Sequence, residues 1–503
     1  MLKKSYNYLL ALPLMLLMAG GCKKGTFDIN NTNPNAPSAV SPQISLSATL
    51  VNAANETYNS GYPDFANRYM GYWAFSGDYG GYGTEATYNT NNSFANYNWD
   101  NVYLTLENLK FIVNSSRTPT EGYYLGIAKI MQSFLYQRLV DLYNNVPYSD
   151  ALNGDKFNYY PKYDDAKTIY KSLVTQIDSA ITIINGTDAS TADNPGKYDV
   201  MFGGKMANWL AFANSVKLKI LLNMTQVSDG PAFITSELSG LKTSDFLGAG
   251  VDATVNPGYS NAALNQQNPM WQNVGFATNG TTPTTGNSYN RANSYSVNFY
   301  SSTNDPRISR FYAANNAGVI RGRAFGSQDG TEHNTVISAV GPGIIPSPTA
   351  GAPLMPAFES LFLQAEAVQR GYIGGPLSAD SLFRSAVSES FRILGVPSAA
   401  SAAATYVAQN DARVNFSVAP DKINAIITQE WASLNMYDPI EAWNNWRRLG
   451  IPVDLPVSIY PGTSATHIPY RLLYPLSEFN NNTANVNAQG SINNMTSKIF
   501  WMP

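Results

Sequence analysis

Three apolar stripes, each spaced like one face of a helix, follow one another in the first half of this chain. They restrict it to an architecture of helix packed on helix. Ile127, Met131, Phe134, Leu135, Leu139 and Leu142 form the first. Ile169, Leu173, Ile177, Ala180, Ile181 and Ile184 form the second, opened by Asp164 or Asp165 as a cap. Trp209, Phe212, Ala213, Val216, Ile220 and Met224 form the third. Gly-, Pro- and Asn-rich breaks separate them, the arrangement of helical hairpins stacked into a solenoid. The spacing is compatible with degenerate tetratricopeptide-like pairs, although no consensus repeat can be read. Helical periods begin near residue 43 and resume at 356–371, 378–396, 421–436 and 439–449. The expected fold is mainly α: a tetratricopeptide-like scaffold with long irregular insertions and few short strands.

Two regions break this pattern. Residues 60–100 are dense in Gly, Asn and Tyr with little helical period, and residues 245–355 are rich in Asn, Gly, Thr and Pro. Long irregular stretches inside a compact domain usually carry function. We therefore read both as loops of a ligand face.

The first residues are a targeting segment. Lys3 and Lys4 precede an apolar run from Leu9 to Met18, followed by Ala19, Gly20, Gly21 and Cys22. That run is too short to span a bilayer as a mature helix. Small residues before a cysteine resemble a bacterial lipobox, with Ala19 where Leu is commoner. Cys22 is also the only cysteine, so it has no internal disulfide partner. The expected organisation is a lipoprotein signal peptide over 1–21, lipidation at Cys22, a tether over 22–40 and one binding domain over 41–503. Such a protein is held to the membrane by its lipid alone.

Composition narrows the ligand. Charged residues are only 13% of the chain and the net charge is −3, which argues against nucleic acid. Amide and hydroxyl side chains fill the polar positions and suit neutral polar ligands. The 32 Tyr and 8 Trp supply flat faces with a polar tip, most of them expected in the core. Catalytic motifs are absent. The two histidines, His333 and His467, lie in no metal-ligand spacing, and no nucleophile elbow or phosphate loop occurs. Paired carboxylates for a glycosidase are available, as in any chain this long, but nothing singles them out. Glu366, between apolar neighbours on a helix, is read as an ion-pair partner of Arg447 or Arg448. No catalytic residue, cofactor or metal is expected.

Several segments together resemble the SusD/RagB-like outer-membrane lipoproteins, and within them the SusD-like branch. Asp28-Ile29-Asn30 and Asn33-Pro34 follow the lipobox. Next come GIAKIMQSFLYQRLVDLYNNVPYSDAL, with Asn144-Asn145 where the family commonly has Gly-Asp, and KMANWLAFANSVKLKILLNM. AFESLFLQAEAVQRG, EAWNNWRRLGIP and IPYRLLYPLSEFNNN complete an ordered set over nearly the whole chain. The resemblance implies a helical scaffold whose loops bind a nutrient at the cell surface. It also implies a partner, a SusC-like TonB-dependent transporter to which the nutrient passes. A neutral glycan is the leading ligand; a peptide or other nutrient, a surface glycosidase and a ligand-free helical adaptor are the alternatives.

The ligand face is expected where aromatics fall outside any helical period. One stretch holds Trp73, Asp78, Tyr79, Tyr82 and Tyr88, with Gly80, Gly81 and Gly83 letting the backbone turn and leaving the rings exposed. The other, about 259–300, holds Trp271, Tyr289 and Asn290. Trp271 fits equally as a loop anchor. Trp99 opens a helix and is expected to pack inward.

Overall fold

In the computed structural model, residues 41–58, 64–116 and 118–503 are described. The signal segment, Cys22 and the tether lie outside them. The sequence from Pro42 to Pro503 makes one unit.

Among the helices are α1 (Pro42–Tyr58), α2 (Asp64–Tyr69), α3 (Tyr97–Ser115), α4 (Gly122–Tyr143), α5 (Ala166–Gly186), α6 (Met206–Asn223) and the short α7 (Pro269–Val274) and α8 (Ser294–Ser302). There follow α9 (Ala357–Gln369), α10 (Ala379–Ile393), α11 (Ala399–Val407), α12 (Lys422–Leu434), α13 (Pro439–Leu449) and α14 (Leu476–Asn481). Three antiparallel two-stranded ribbons interrupt them: β1 (Trp73–Phe75) with β5 (Asn290–Ala292), β2 (Val146–Pro147) with β3 (Tyr163–Asp164), and β4 (Ala253–Val255) with β6 (Ala352–Met355). The fold is mainly α with few short strands, a tetratricopeptide-like scaffold carrying irregular insertions.

The three stripes become α4, α5 and α6, stacked in sequence, with α3 on the other side of α4 and α1 against α3. α5 is amphipathic, burying Ile169, Leu173, Ile177, Ala180 and Ile184. Its cap is Asp165, whose Oδ1 accepts from Thr168 N at 2.9 Å. Asp164 instead closes the β2–β3 turn by accepting from the backbone N–H groups of Tyr148 and Ser149 at 3.0 and 2.8 Å. α4 is buried nearly all round because α3, α5 and α6 surround it. A carboxylate on it must therefore find its partners inside. Asp141 accepts from Gln137, Asn444, Trp501 and the Tyr170 hydroxyl, and burial pushes its carboxyl up to about 7.

The C-terminal helices form a second block. α9 packs against α10, α12 and α6, and α10 against α11. Two buried ion pairs hold it to itself and to the first block. Glu366 takes a bidentate pair from Arg448, at 2.6 and 2.7 Å, and a third bond from Arg370. Burial alone would raise its pKa; the two guanidinium groups overcome this and lower it. Of the two expected partners it is thus Arg448 that pairs. Arg447 donates to the carbonyls of Asp141 and Tyr470 and lies 3.9 Å over the Trp443 ring. The second anchor is Lys219 of α6, which meets Glu359, Asp438 and Glu441 at 2.8, 2.7 and 3.3 Å.

The last residues return over the first block, where Leu472 N donates to the Leu142 carbonyl and Phe500 N to Asn144 Oδ1. No helix among the described residues is long and apolar enough to cross a membrane.

Candidate functional site

The irregular segments near 60–100 and 245–355 meet in the β1–β5 ribbon, where Trp73, Ala74 and Phe75 face Ala292, Arg291 and Asn290. Ser76 N extends the pairing by donating to the Tyr289 carbonyl at 2.7 Å, and Gly77 N donates to the Glu332 carbonyl at 3.1 Å. This short ribbon brings the two aromatic stretches together from opposite halves of the chain.

Trp73 and Phe75, two residues apart, share one face of the ribbon; Trp73 is buried and Phe75 half-buried. The Trp73 ring is 1% exposed, edge-on to Tyr312, with its Nε1 donating to Asn435 Oδ1 at 2.8 Å. Phe75 is the hinge of the surface layer. Tyr82 stacks on it at 4.5 Å between centroids, the Arg68 guanidinium covers it at 4.2 Å, and Tyr289 and Phe325 flank it. Tyr79 stands edge-on to Tyr289, and Tyr82 edge-on to Tyr460, each at 6.0 Å. Gly81, at φ +85°, supplies the turn between Tyr79 and Tyr82 that other residues adopt only under strain. Tyr79, Tyr82, Arg323, Gln328, Asp329 and Tyr460 enclose a small polar recess of about 90 Å³.

Two of the charges beneath the rings are ion-paired. Arg68 pairs with Glu85, Nη2 to Oε2 at 3.0 Å, and donates to Asn290 Oδ1 at 3.1 Å. Arg323 donates to the carbonyls of Phe75 and Ser327 at 3.0 and 2.6 Å and lies 3.0 Å from Glu332. Burial draws the Arg291 guanidinium down to about 10. Asp78 is at the surface, where it accepts from Asn334 N at 2.7 Å and sits 2.6 Å from His333 Nδ1. These bonds, the backbone one first, lower its carboxyl. His467 is remote from it and stacks on Tyr470 at 4.3 Å. No group of three or more His, Cys, Asp or Glu side chains arranged for a metal occurs among the described residues.

The structure separates the sequence-chosen residues into two sets. Tyr79 is exposed; Tyr82 and Tyr289 are half-buried, the Tyr289 hydroxyl donating to Asp64 Oδ2 at 2.8 Å; Asp78 lies beside them. Trp73, Tyr88 and Asn290 require correction, because none presents a face to solvent. Trp73 and Asn290 are fixed from below as described. Tyr88 is 2% exposed, packed edge-on to Tyr69, with its oxygen accepting from Ser458 N. Trp271 answers its two readings in favour of the anchor. Its Nε1 donates to the Phe276 carbonyl at 2.7 Å, half-buried on α7, whose cap is Asn268. Trp99 packs inward against Tyr143 and Tyr103. Sequence reasoning missed Phe75, Arg323 and Tyr460. Phe75 lies inside the aromatic stretch that begins at Trp73, which was its only signal, whereas nothing near Tyr460 marks it.

The fold recurs in solved structures. A SusD-like protein from Bacteroides thetaiotaomicron has TM-score 0.74 at 22% identity, over 91% of this chain and 98% of that one. A chitin-binding SusD homologue from Flavobacterium johnsoniae has TM-score 0.74 at 19%, over 91% and 98%. A SusD homologue from Bacteroides fragilis has TM-score 0.74 at 19%, over 92% and 100%. No curated protein matches the chain. The sequence profile of the SusD-like family described as starch-binding and associating with the outer membrane matches residues 34–475, nearly the whole described unit, and the chain belongs to that family.

Proposed function

We propose that this protein is a non-catalytic, lipid-anchored binding protein on the outer face of the outer membrane. It captures a neutral oligo- or polysaccharide on the Tyr79–Tyr82 face and delivers it to a SusC-like TonB-dependent transporter. The observation that carries this reading is the β1–β5 ribbon, beside which Tyr79, Tyr82 and Tyr460 line a recess edged by Gln328 and Asp329, with Tyr289 edge-on to Tyr79. Sugar rings present C–H faces that pack on aromatic planes and hydroxyls that bond to amides and carboxylates. The family's starch-binding description and the chitin-binding neighbour support the ligand class.

The carboxylates argue against hydrolysis. A glycosidase needs one carboxyl group kept protonated to serve as acid. Asp78 and Asp329 are both shifted the other way, chiefly by backbone N–H groups of Asn334 and Thr331. Glu332 is bound to Arg323 and Ser327.

Affinity electrophoresis in gels cast with neutral polysaccharides tests the assignment. A platform ring is worth about 1–3 kcal/mol by analogy with bases stacked on aromatics, so Tyr79→Ala or Tyr82→Ala weakens binding roughly tenfold or more, with Tm little changed. If both variants bind as the parent does, the face is not the ligand site. Reducing ends released from a bound glycan would overturn the non-catalytic reading.

A further inference from the structure

The β2–β3 loop, residues 148–162, carries three large rings that the fold leaves in solvent. Phe157, Tyr159 and Tyr160 are 82%, 60% and 67% exposed. Leu104 on α3, 65% exposed, lies beside Tyr159, and Leu476 on α14, 50% exposed, adjoins Ser477 and Glu478 in the same surface. Exposed apolar groups gathered in this way mark a surface that something else covers.

The loop is not slack. Lys110 of α3 donates to the Leu152 carbonyl and to Asn153 Oδ1. Asn482 and Asn485 donate to the carbonyls of Pro161 and Tyr160, each at 2.9 Å. Asp150 ties Asn158 to Lys162 N from within. The rings thus project from a backbone fastened on both sides, and a ligand meets them with little ordering cost.

Between this loop, α3 and α14 lies a cleft of about 420 Å³. Tyr103, Leu104 and Tyr159 give it apolar walls; Asp100, Glu478 and Asn481 give it polar ones. Both carboxylates are already oriented by the protein, Asp100 by Ser477 and Asn96, and Glu478 by Tyr163 and Asn482. No Lys or Arg lines the cleft. Lys110, just behind the lining, is taken up by Leu152 and Asn153, so carboxylate and amide acceptors beside flat rings disfavour anions and suit neutral ligands rich in hydroxyl donors. We infer that this cleft is a second binding site for neutral saccharide chains, separate from the Tyr79–Tyr82 face. It shares with the preceding reading the class of ligand but none of the residues.

The test uses the soluble full-length protein with Cys22 replaced by Ala, in gels containing amylopectin, glycol chitin or xylan. Tyr159→Ala is expected to weaken binding to at least one of them roughly tenfold, with Tm unchanged because the ring is exposed. Glu478→Gln, which keeps the acceptor toward Tyr163, is expected to weaken it by a smaller factor. Binding that survives in Tyr79→Ala and falls further when Tyr159→Ala is added supports two sites. If Tyr159→Ala and Glu478→Gln are retarded like the parent, or no gel retards the parent, the inference is overturned. It is equally overturned if Tyr159→Ala alters only association with an outer-membrane barrel, which would assign the rings to a protein contact. Loss in Tyr79→Ala alone would uphold the first face and remove the second.

Discussion

An aromatic side chain in an irregular segment has one identity in sequence and two possible fates. Trp73 and Tyr79 are six residues apart, yet one fills the core and the other meets solvent. The difference is set by what lies behind each ring. Trp73 finds Asn435 for its N–H and Tyr312 for its edge, so it is structural. Trp73→Ala should destabilise the protein by about 3–5 kcal/mol, read as a fall in denaturant midpoint, whereas Tyr79→Ala should leave it in place. Glu56 is a second case. It is 3% exposed on α1, accepts from Thr105 with one oxygen and has no partner for the other among the described residues. Burial raises its pKa from 4.5 to about 8, against smaller opposing effects of Thr105 and Arg138. Between those values the folded protein holds a proton that the unfolded chain has lost. Stability must therefore fall as pH rises from about 5 to 8. Glu56→Gln should flatten that part of the Tm-against-pH curve; an unchanged slope would show that other buried carboxyl groups dominate.

At the scale of elements, the closeness of α4 and α5 depends on glycine. A Cβ at Gly126 would lie 2.5 Å from Ile184 Cγ1 and 3.2 Å from the Ala180 carbonyl. In an exposed helix Gly→Ala stabilises by up to about 1 kcal/mol. Here the helices must separate, and Gly126→Ala should cost about 1–3 kcal/mol instead, measured by chemical denaturation. The long helices were readable because their apolar stripes alternate with polar faces; the expected 378–396 and 439–449 fall close to α10 and α13. α11 was not, since its alanine-rich run, AASAAATYV, offers no contrast between faces. Nor could β1 be read. Three residues carry no period, and their partner strand lies in the other half of the sequence. The candidate face was legible as two aromatic stretches, but not in which rings emerge, because that depends on Tyr312, Asn435 and Ser458, all distant in sequence from Trp73 and Tyr88.

For the molecule as a whole, the proposed attachment to the membrane concerns residues beyond the helical unit. Cys22→Ala should move the protein from the membrane to the soluble fraction when the transporter is absent, with an unchanged circular dichroism spectrum and Tm. Retention in the outer membrane under those conditions would refute lipid anchoring. The β1–β5 ribbon has a further consequence for how the protein is made. Its two strands are contacts of very high sequence separation, and such contacts close late because a large chain entropy must be lost first. A nascent chain that has emerged only as far as α6 possesses the stacked helices α3 to α6 but has no partner for β1. At the proposed face, competence to hold a ligand would therefore arise at the end of folding, and a chain truncated after α6 is expected to be structured yet inert there.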